Sequence, residues 1–203
     1  MAKTPSESKM KGNSQNSIFH QIIDYDRQFS KKLCICSERD VGFFTGSHTR
    51  KVLLLWEYSG HGVLWLLAVT ALLYHSWRDP IMKPFYQNIM TAWWVDILVI
   101  IVLKATFRRS RPATNRNDMY LTGYVDRHSF PSGHATRASL MACIFLQYSF
   151  ITVMNKVMIV LWALLLSVSR ILSGRHHISD VICGIIIGIL QFYFIKAYVW
   201  FIS

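Results

Sequence analysis

The chain has 203 residues, of which 52% are hydrophobic and only 16% charged, with a mean hydropathy of +0.28. A soluble domain carries about 25% Asp, Glu, Lys and Arg, so the composition excludes an ordinary soluble domain, a largely disordered chain and a disulfide scaffold. The net charge of +11 would suggest nucleic acid on a soluble protein, but no zinc-finger spacing, RNA-binding signature or basic helical repeat accompanies it, and no nucleic-acid partner is expected.

In chain order, residues 1–17 are polar, carry Lys3, Lys9 and Lys11 and lack an apolar core, so they read as a disordered tail and not as a signal peptide. Residues 18–50 form an amphipathic interfacial segment. Its apolar positions, among them Ile22, Ile23, Phe29 and Leu33, are interrupted by Asp24, Asp26, Arg27, Lys31 and Lys32, which suits a helix lying on the bilayer better than one crossing it. Residues 51–203 form the membrane domain. Five stretches there approach the roughly 20 apolar residues that a crossing needs: 52–74, 89–104 with a possible extension to 107, 131–153, 157–172 and 180–201. Asn155-Lys156 is the expected turn between the third and the fourth. The expected fold is therefore all-α, a membrane bundle of about five transmembrane helices preceded by an amphipathic helix. Cys34, Cys36, Cys143 and Cys183 read as free thiols.

If all five stretches cross, the N-terminal region, the 105–131 loop and the 170–180 loop share one side. That side holds all but 4 of the 22 lysines and arginines, so the positive-inside rule places it in the cytosol.

Three clusters on that side carry the chemistry. Lys104 and Arg111 are seven residues apart, close to two helical turns, and Pro112 is expected to end their helix. Pro131-Ser132-Gly133-His134 places a capping serine and a glycine at a helix start, which offers unsatisfied N–H groups and a positive dipole end to an anion. Ser169-Arg170 and Arg175-His176-His177-Ile178-Ser179-Asp180 form the third. His176 and Asp180 are spaced i, i+4, so a helical start would let the carboxylate fix the imidazole tautomer, as a histidine nucleophile requires. Taken singly, each cluster has a plainer reading as a solvated face or a capped helix, and His176, His177 and Asp180 could instead be metal ligands. Together they supply three cations, an anion cradle and two histidines, but no aspartate cluster for magnesium. This set suits phosphoryl transfer through a histidine without a metal. Glu57, His61 and Asp96, inside apolar stretches, are read as interhelical hydrogen bonds holding the bundle, and Arg108, Arg109, Arg116 and Arg127 mainly as interfacial anchors.

The spacings K-x6-R-P, P-S-G-H and S-R-x5-H-x3-D, here Lys104 to Pro112, Pro131 to His134 and Ser169 to Asp180, resemble the three signatures of the type 2 phosphatidic acid phosphatase superfamily, with no departure at any signature position. The wider stretch from Arg109 to Arg137, with Glu57 and His61, is similar to the branch that acts on polyisoprenoid diphosphates and monophosphates. The resemblance implies a lipid phosphatase in the endoplasmic reticulum or nuclear envelope, acting on farnesyl, geranylgeranyl or presqualene diphosphate, without a metal or other cofactor. It implies that His176 attacks phosphorus with Asp180 orienting it, that His134 is the general acid and base, and that Lys104, Arg111, Ser132, Gly133 and Arg170 hold the phosphate. Pro112, Pro131 and Ser169 would shape the motifs. Phosphatidate or lysophosphatidate hydrolysis, transfer to an alcohol, and a non-catalytic scaffold binding anionic lipid are the alternatives.

Overall fold

The structure is a computed structural model and describes residues 18–35, 47–115 and 127–202. These residues form seven α-helices: α1 (Ile18–Leu33), α2 (Ser47–Ser59), α3 (Gly62–His75), α4 (Met82–Phe107), α5 (Gly133–Gln147), α6 (Val153–Leu172) and α7 (Ile178–Tyr198). Among the described residues there is no strand, and the expected all-α class holds. The expected 1–17 tail, Cys36 and Arg116 lie outside the described residues.

Among the described residues, four segments are long and apolar enough to cross a membrane: Lys51–His75, Met82–Phe107, Val153–Leu172 and Ile178–Tyr198. The stretch predicted at 131–153 is shorter. Its helix, α5, has 15 residues and is about 22 Å long, against a hydrocarbon core of about 30 Å. It needs no lipid-facing length because it runs through the middle of the bundle, packed against α4, α6 and α7, with Ala135, Ala138, Leu140, Met141 and Ile144 buried. The turn after it falls at 148–152 and not at Asn155-Lys156. Thr152 caps α6, its hydroxyl accepting from the Asn155 N–H at 3.3 Å, so Asn155 and Lys156 lie in the first turn of that helix. The stretch predicted at 52–74 is two helices. The chain breaks at Gly60-His61, where a side chain on Gly60 would collide with Leu166 and crowd the His134 ring. A glycine makes that approach without moving Leu166 or the His134 ring.

Small residues set the contact that matters most for the site. A Cβ at Gly184 would sit 2.9 Å from the Ser132 carbonyl oxygen and 3.1 Å from Ala135 Cβ, and one at Gly188 would strike Ser139 and the Thr136 carbonyl. The glycine edge of α7 thus lets the α5 backbone approach, as small residues do between membrane helices. As a result, the two helix starts meet, with the Ser132 N–H donating to the Asp180 carbonyl at 3.0 Å.

The far end is closed by an aromatic cluster of Phe85, Tyr148, Phe150 and Trp200. Asn88 ties three chain segments there, donating to the Tyr148 hydroxyl at 2.7 Å and to the Phe201 carbonyl at 2.9 Å, and accepting from the Phe201 N–H at 2.9 Å. The start of α4 and the ends of α5 and α7 therefore share one end of the bundle. The end of α4, the starts of α5 and α7 and the end of α6 share the other, where all three signature clusters lie.

Helix α1 lies across this second end. Ile22, Tyr25, Phe29 and Leu33, one stripe at helical spacing, are exposed, while Ser30 on the opposite edge is buried. The amphipathic reading of the sequence holds for the outer face. The inner face is polar and bonded into the protein.

Candidate active site

Arg111 does not share a helix with Lys104. Helix α4 stops at Phe107, five residues before Pro112, because Arg108 adopts a left-handed conformation (φ 45°, ψ 32°) and its N–H bonds back to the Lys104 carbonyl at 3.1 Å. That conformation is strained for a residue with a Cβ, and it redirects the chain across the end of the bundle. The loop is stitched in place by the Ser129 N–H donating to the Arg109 carbonyl at 2.8 Å. Lys104 Nζ, buried, donates to the His128 carbonyl at 2.7 Å. Arg111 Nη1 reaches the Arg175 carbonyl at 3.4 Å.

The start of α5 is built as expected in position but not in its cap. Ser132 occupies the N-cap position after Pro131, yet its hydroxyl makes no cap bond. Ser132 is fully buried, and its Oγ has no hydrogen-bond partner among the described residues. Buried polar groups are seldom left so, and this one is available to a ligand at a helix start that favours anions. Gly133 and His134 follow, His134 being 6% exposed.

The third cluster departs from the spacing argument. Asp180, fully buried, accepts from the His177 N–H at 2.8 Å and faces His177 Nδ1 at 3.1 Å, closing a capping box at the start of α7. Its other contacts are the Arg109 guanidinium at 2.6 Å and the Ser129 hydroxyl, which donates to it. His176 Nδ1 stands 3.9 Å from the carboxylate. It lies 2.7 Å from the Ser129 backbone carbonyl, an oxygen that can only accept, so Nδ1 carries a proton. The i, i+4 geometry therefore does not give a direct Asp180–His176 bond. Asp180 holds Ser129, and the Ser129 carbonyl holds His176. Nor do His176, His177 and Asp180 gather as metal ligands: among the described residues no group of three or more His, Cys, Asp or Glu is placed to hold an ion.

Arg170, 1% exposed, ends α6, and the Ser169 hydroxyl beside it bonds the Leu166 carbonyl at 2.7 Å. Its counter-ion is Glu57, at 2.9 Å, which also pairs Arg175 Nε at 3.0 Å. Glu57 thus belongs to this end of the bundle and positions two arginines. Its place inside an apolar stretch and, with His61, in the branch resemblance were the sequence signals, and neither named its partners. Arg109 is likewise no mere anchor, since Asp26 of α1 accepts from its Nη2 at 2.7 Å and from the Ser179 N–H at 3.2 Å. Burial alone would raise the Asp26 carboxyl, but the Ser179 and Arg109 hydrogen bonds outweigh it and hold the group below its ordinary value. The sequence offered no pointer to Ser129 or to Asp26 as partners.

A cavity of about 510 Å³ opens between α3, α4 and α5. Lys104, His128, Gly133 and His134 line its polar end, while Val63, Leu66, Ile97, Ile100 and Ile101 line its apolar wall. Arg111 instead lines a smaller cavity of about 330 Å³ beside α1, with Arg27, Lys31 and His177. Of the expected site residues, Lys104, Gly133 and His134 therefore line the larger cavity and Arg111 the smaller one, while Ser132, Arg170, His176 and Asp180 are buried and line neither.

Comparison with known proteins agrees with this architecture. The chain is similar to the crystal structure of Aquifex aeolicus LpxE (TM-score 0.60, 23% identity, 87% of this chain and 94% of that one). It is also similar to the first transmembrane PAP2 type phosphatidylglycerolphosphate phosphatase from Bacillus subtilis (TM-score 0.70, 20% identity, 88% of this chain and 86% of that one). At these identities the likeness is one of fold. A curated relative, the probable lipid phosphate phosphatase beta of Arabidopsis thaliana, is 29% identical over an alignment 138 residues long that covers 56% of this chain and 65% of the relative's length. The match thus spans just under two thirds of that relative. The model of the PAP2 superfamily matches residues 85–203, which include all three signature clusters and the helices that bring them together, and the chain belongs to that superfamily.

Proposed function

We propose that the protein is an integral membrane lipid phosphatase that cleaves polyisoprenoid diphosphates and monophosphates through a phosphohistidine, without a metal. The cavity carries this reading. It joins a cationic, histidine-bearing end to an apolar wall of Val63, Leu66, Ile97, Ile100 and Ile101, the shape required by an amphiphile with an anionic head and a long hydrocarbon tail. The relative from Arabidopsis is named for lipid phosphates, which supports the same substrate class.

In this mechanism His176 Nε2 attacks the terminal phosphorus, the bond to the leaving oxygen breaks, and His134 gives that oxygen a proton. A water then attacks the phosphohistidine, loses its proton to His134 and releases inorganic phosphate. Lys104, Arg111, Arg170, the Ser132 hydroxyl and the Gly133 N–H hold the non-bridging oxygens, so that positioning and fixed charge supply most of the acceleration. By the distribution of Lys and Arg, the site faces the cytosol, and the endoplasmic reticulum or nuclear envelope is the proposed location.

The test is phosphate release by the purified protein in detergent with EDTA, comparing farnesyl diphosphate with phosphatidate. Faster release from farnesyl diphosphate, reduced at least 1,000-fold (~4 kcal/mol) by His176→Ala, is expected. Preference for phosphatidate would move the enzyme to glycerolipids. Activity that requires added metal would overturn the mechanism, and absence of release from both lipids would favour a scaffold that binds anionic lipid.

A further inference from the structure

Arg137 lines the larger cavity with His134 and Gly133, yet none of the three signature clusters contains it. Its side chain is anchored on one edge. Nε donates to Asp96 Oδ2 at 2.8 Å, and that carboxylate is fully buried. The guanidinium also lies over the Trp93 ring, 5.4 Å from its centroid. The opposite edge is directed elsewhere. Nη1 is 3.5 Å from where a Cβ on Gly62 would stand, and Nη2 is 3.5 Å from the same point on Gly133. Two cavity-lining glycines therefore leave room beside the terminal nitrogens, and Gly133 is the residue whose N–H is expected to meet phosphate.

The position along α5 gives this cation a role. Arg137 follows His134 by three residues on α5, and its side chain leans back so that the guanidinium spans from Gly133, beside Nη2, to Asp96, which holds Nε and lies two turns of α4 deeper in the bundle than Lys104. The cavity's apolar wall, formed by Leu66 and Ile97 among others, continues in that direction. A lipid whose terminal phosphorus sits at the polar end must run past His134, which protonates the leaving oxygen, and then past Arg137 before its tail reaches that wall. We infer that Arg137 is a specificity-determining residue. Its two outward nitrogens bind a phosphate on the leaving side of the scissile bond, so that the site prefers diphosphate to monophosphate esters. Asp96 and Trp93 are positioning residues for that fork, and they discharge part of its charge without blocking it. A guanidinium edge matches two phosphate oxygens. The inference rests on the functional reading above, in that it places His134 on the leaving side.

The experiment compares wild type, Arg137→Gln and Arg137→Lys on farnesyl diphosphate and farnesyl monophosphate, whose tails are identical. Loss of a charge-assisted hydrogen-bond pair worth about 1.5–3 kcal/mol lowers kcat/KM for the diphosphate roughly 10- to 150-fold in Arg137→Gln. The monophosphate changes less than about twofold by this account, because it makes no such contact. Arg137→Lys, which keeps the charge and loses the fork, falls between. In parallel, binding of inorganic diphosphate and orthophosphate to His176→Ala protein needs no turnover. A preference for diphosphate that disappears on adding Arg137→Gln supports the inference even where the lipid chemistry has been misassigned. Equal losses on both lipids, an unchanged ratio, or a diphosphate preference that survives Arg137→Gln would overturn it. If the glutamine variant does not fold, the same ratio is read from Arg137→Lys.

Discussion

Glu57 shows how a single buried charge is handled at this site. Its carboxylate is the shared counter-ion of Arg170 and Arg175, all three being almost fully buried. Removing one member of such a cluster leaves charge in a low-dielectric place without compensation, a loss of about 3–5 kcal/mol. Glu57→Ala is therefore expected to lower the thermal midpoint in detergent sharply and to abolish phosphate release, while Glu57→Gln, which still accepts hydrogen bonds, retains more of both. A midpoint unchanged by the alanine would show that the pair is solvated and unimportant. In the sequence Glu57 was visible as a carboxylate in an apolar stretch and, with His61, in the resemblance to one branch of the family, and reading it as a bundle-holding hydrogen bond was half of the truth. Which arginines it faces depends on α2 ending beside α6. Ser129 was less legible still, because its contribution to His176 is a backbone carbonyl, which every residue has.

Among the elements, α1 behaves as a strap with two different edges. Outward it shows Ile22, Tyr25 and Phe29, and inward Asp26 and Ser30 bond the first turn of α7, the Ser30 hydroxyl accepting from the Ile178 N–H at 3.0 Å. Because Asp26 is held below its ordinary value, its contribution is complete above the unfolded carboxylate range, near pH 4. It is lost only as pH falls through the lower folded value. Hydrogen exchange of α1 amides, corrected for the intrinsic pH effect, is therefore expected to be level from pH 5 to 8. Asp26→Ala should bring fast exchange over residues 18–33 at pH 7, with a fall in phosphate release of about tenfold (~1.4 kcal/mol), since Arg109 loses one of its two carboxylates. Unaltered exchange in that variant would mean that the apolar stripe alone holds the helix. The stripe was readable from periodicity. The inner edge was not, because its partners are some 80 and 150 residues away in the chain.

At the level of the whole molecule, the arrangement of ends makes a prediction about sidedness. The loops at 76–81 and 148–152 and the residues after α7 lie at the end opposite Arg27 and Arg109. A single cysteine at Asp79 or Ser149, in a background lacking the native thiols, is expected to react with an impermeant reagent from the lumenal side, and one at Arg27 only from the cytosolic side. Reversed labelling would refute the charge-based orientation while leaving the fold intact.

What the sequence determined by itself was the class of the fold, the approximate helices and the three clusters, because apolar length, glycine and proline punctuation and motif spacing are local quantities. Tertiary structure alone decided that α5 is a short, enclosed helix, that the 52–74 stretch breaks at Gly60, that Arg111 reaches the site through a loop, and that Asp180 governs His176 through Ser129. These outcomes depend on which backbones can approach one another and which buried charges must be paired. Both conditions are met between residues far apart in the chain, where neither period nor propensity carries information.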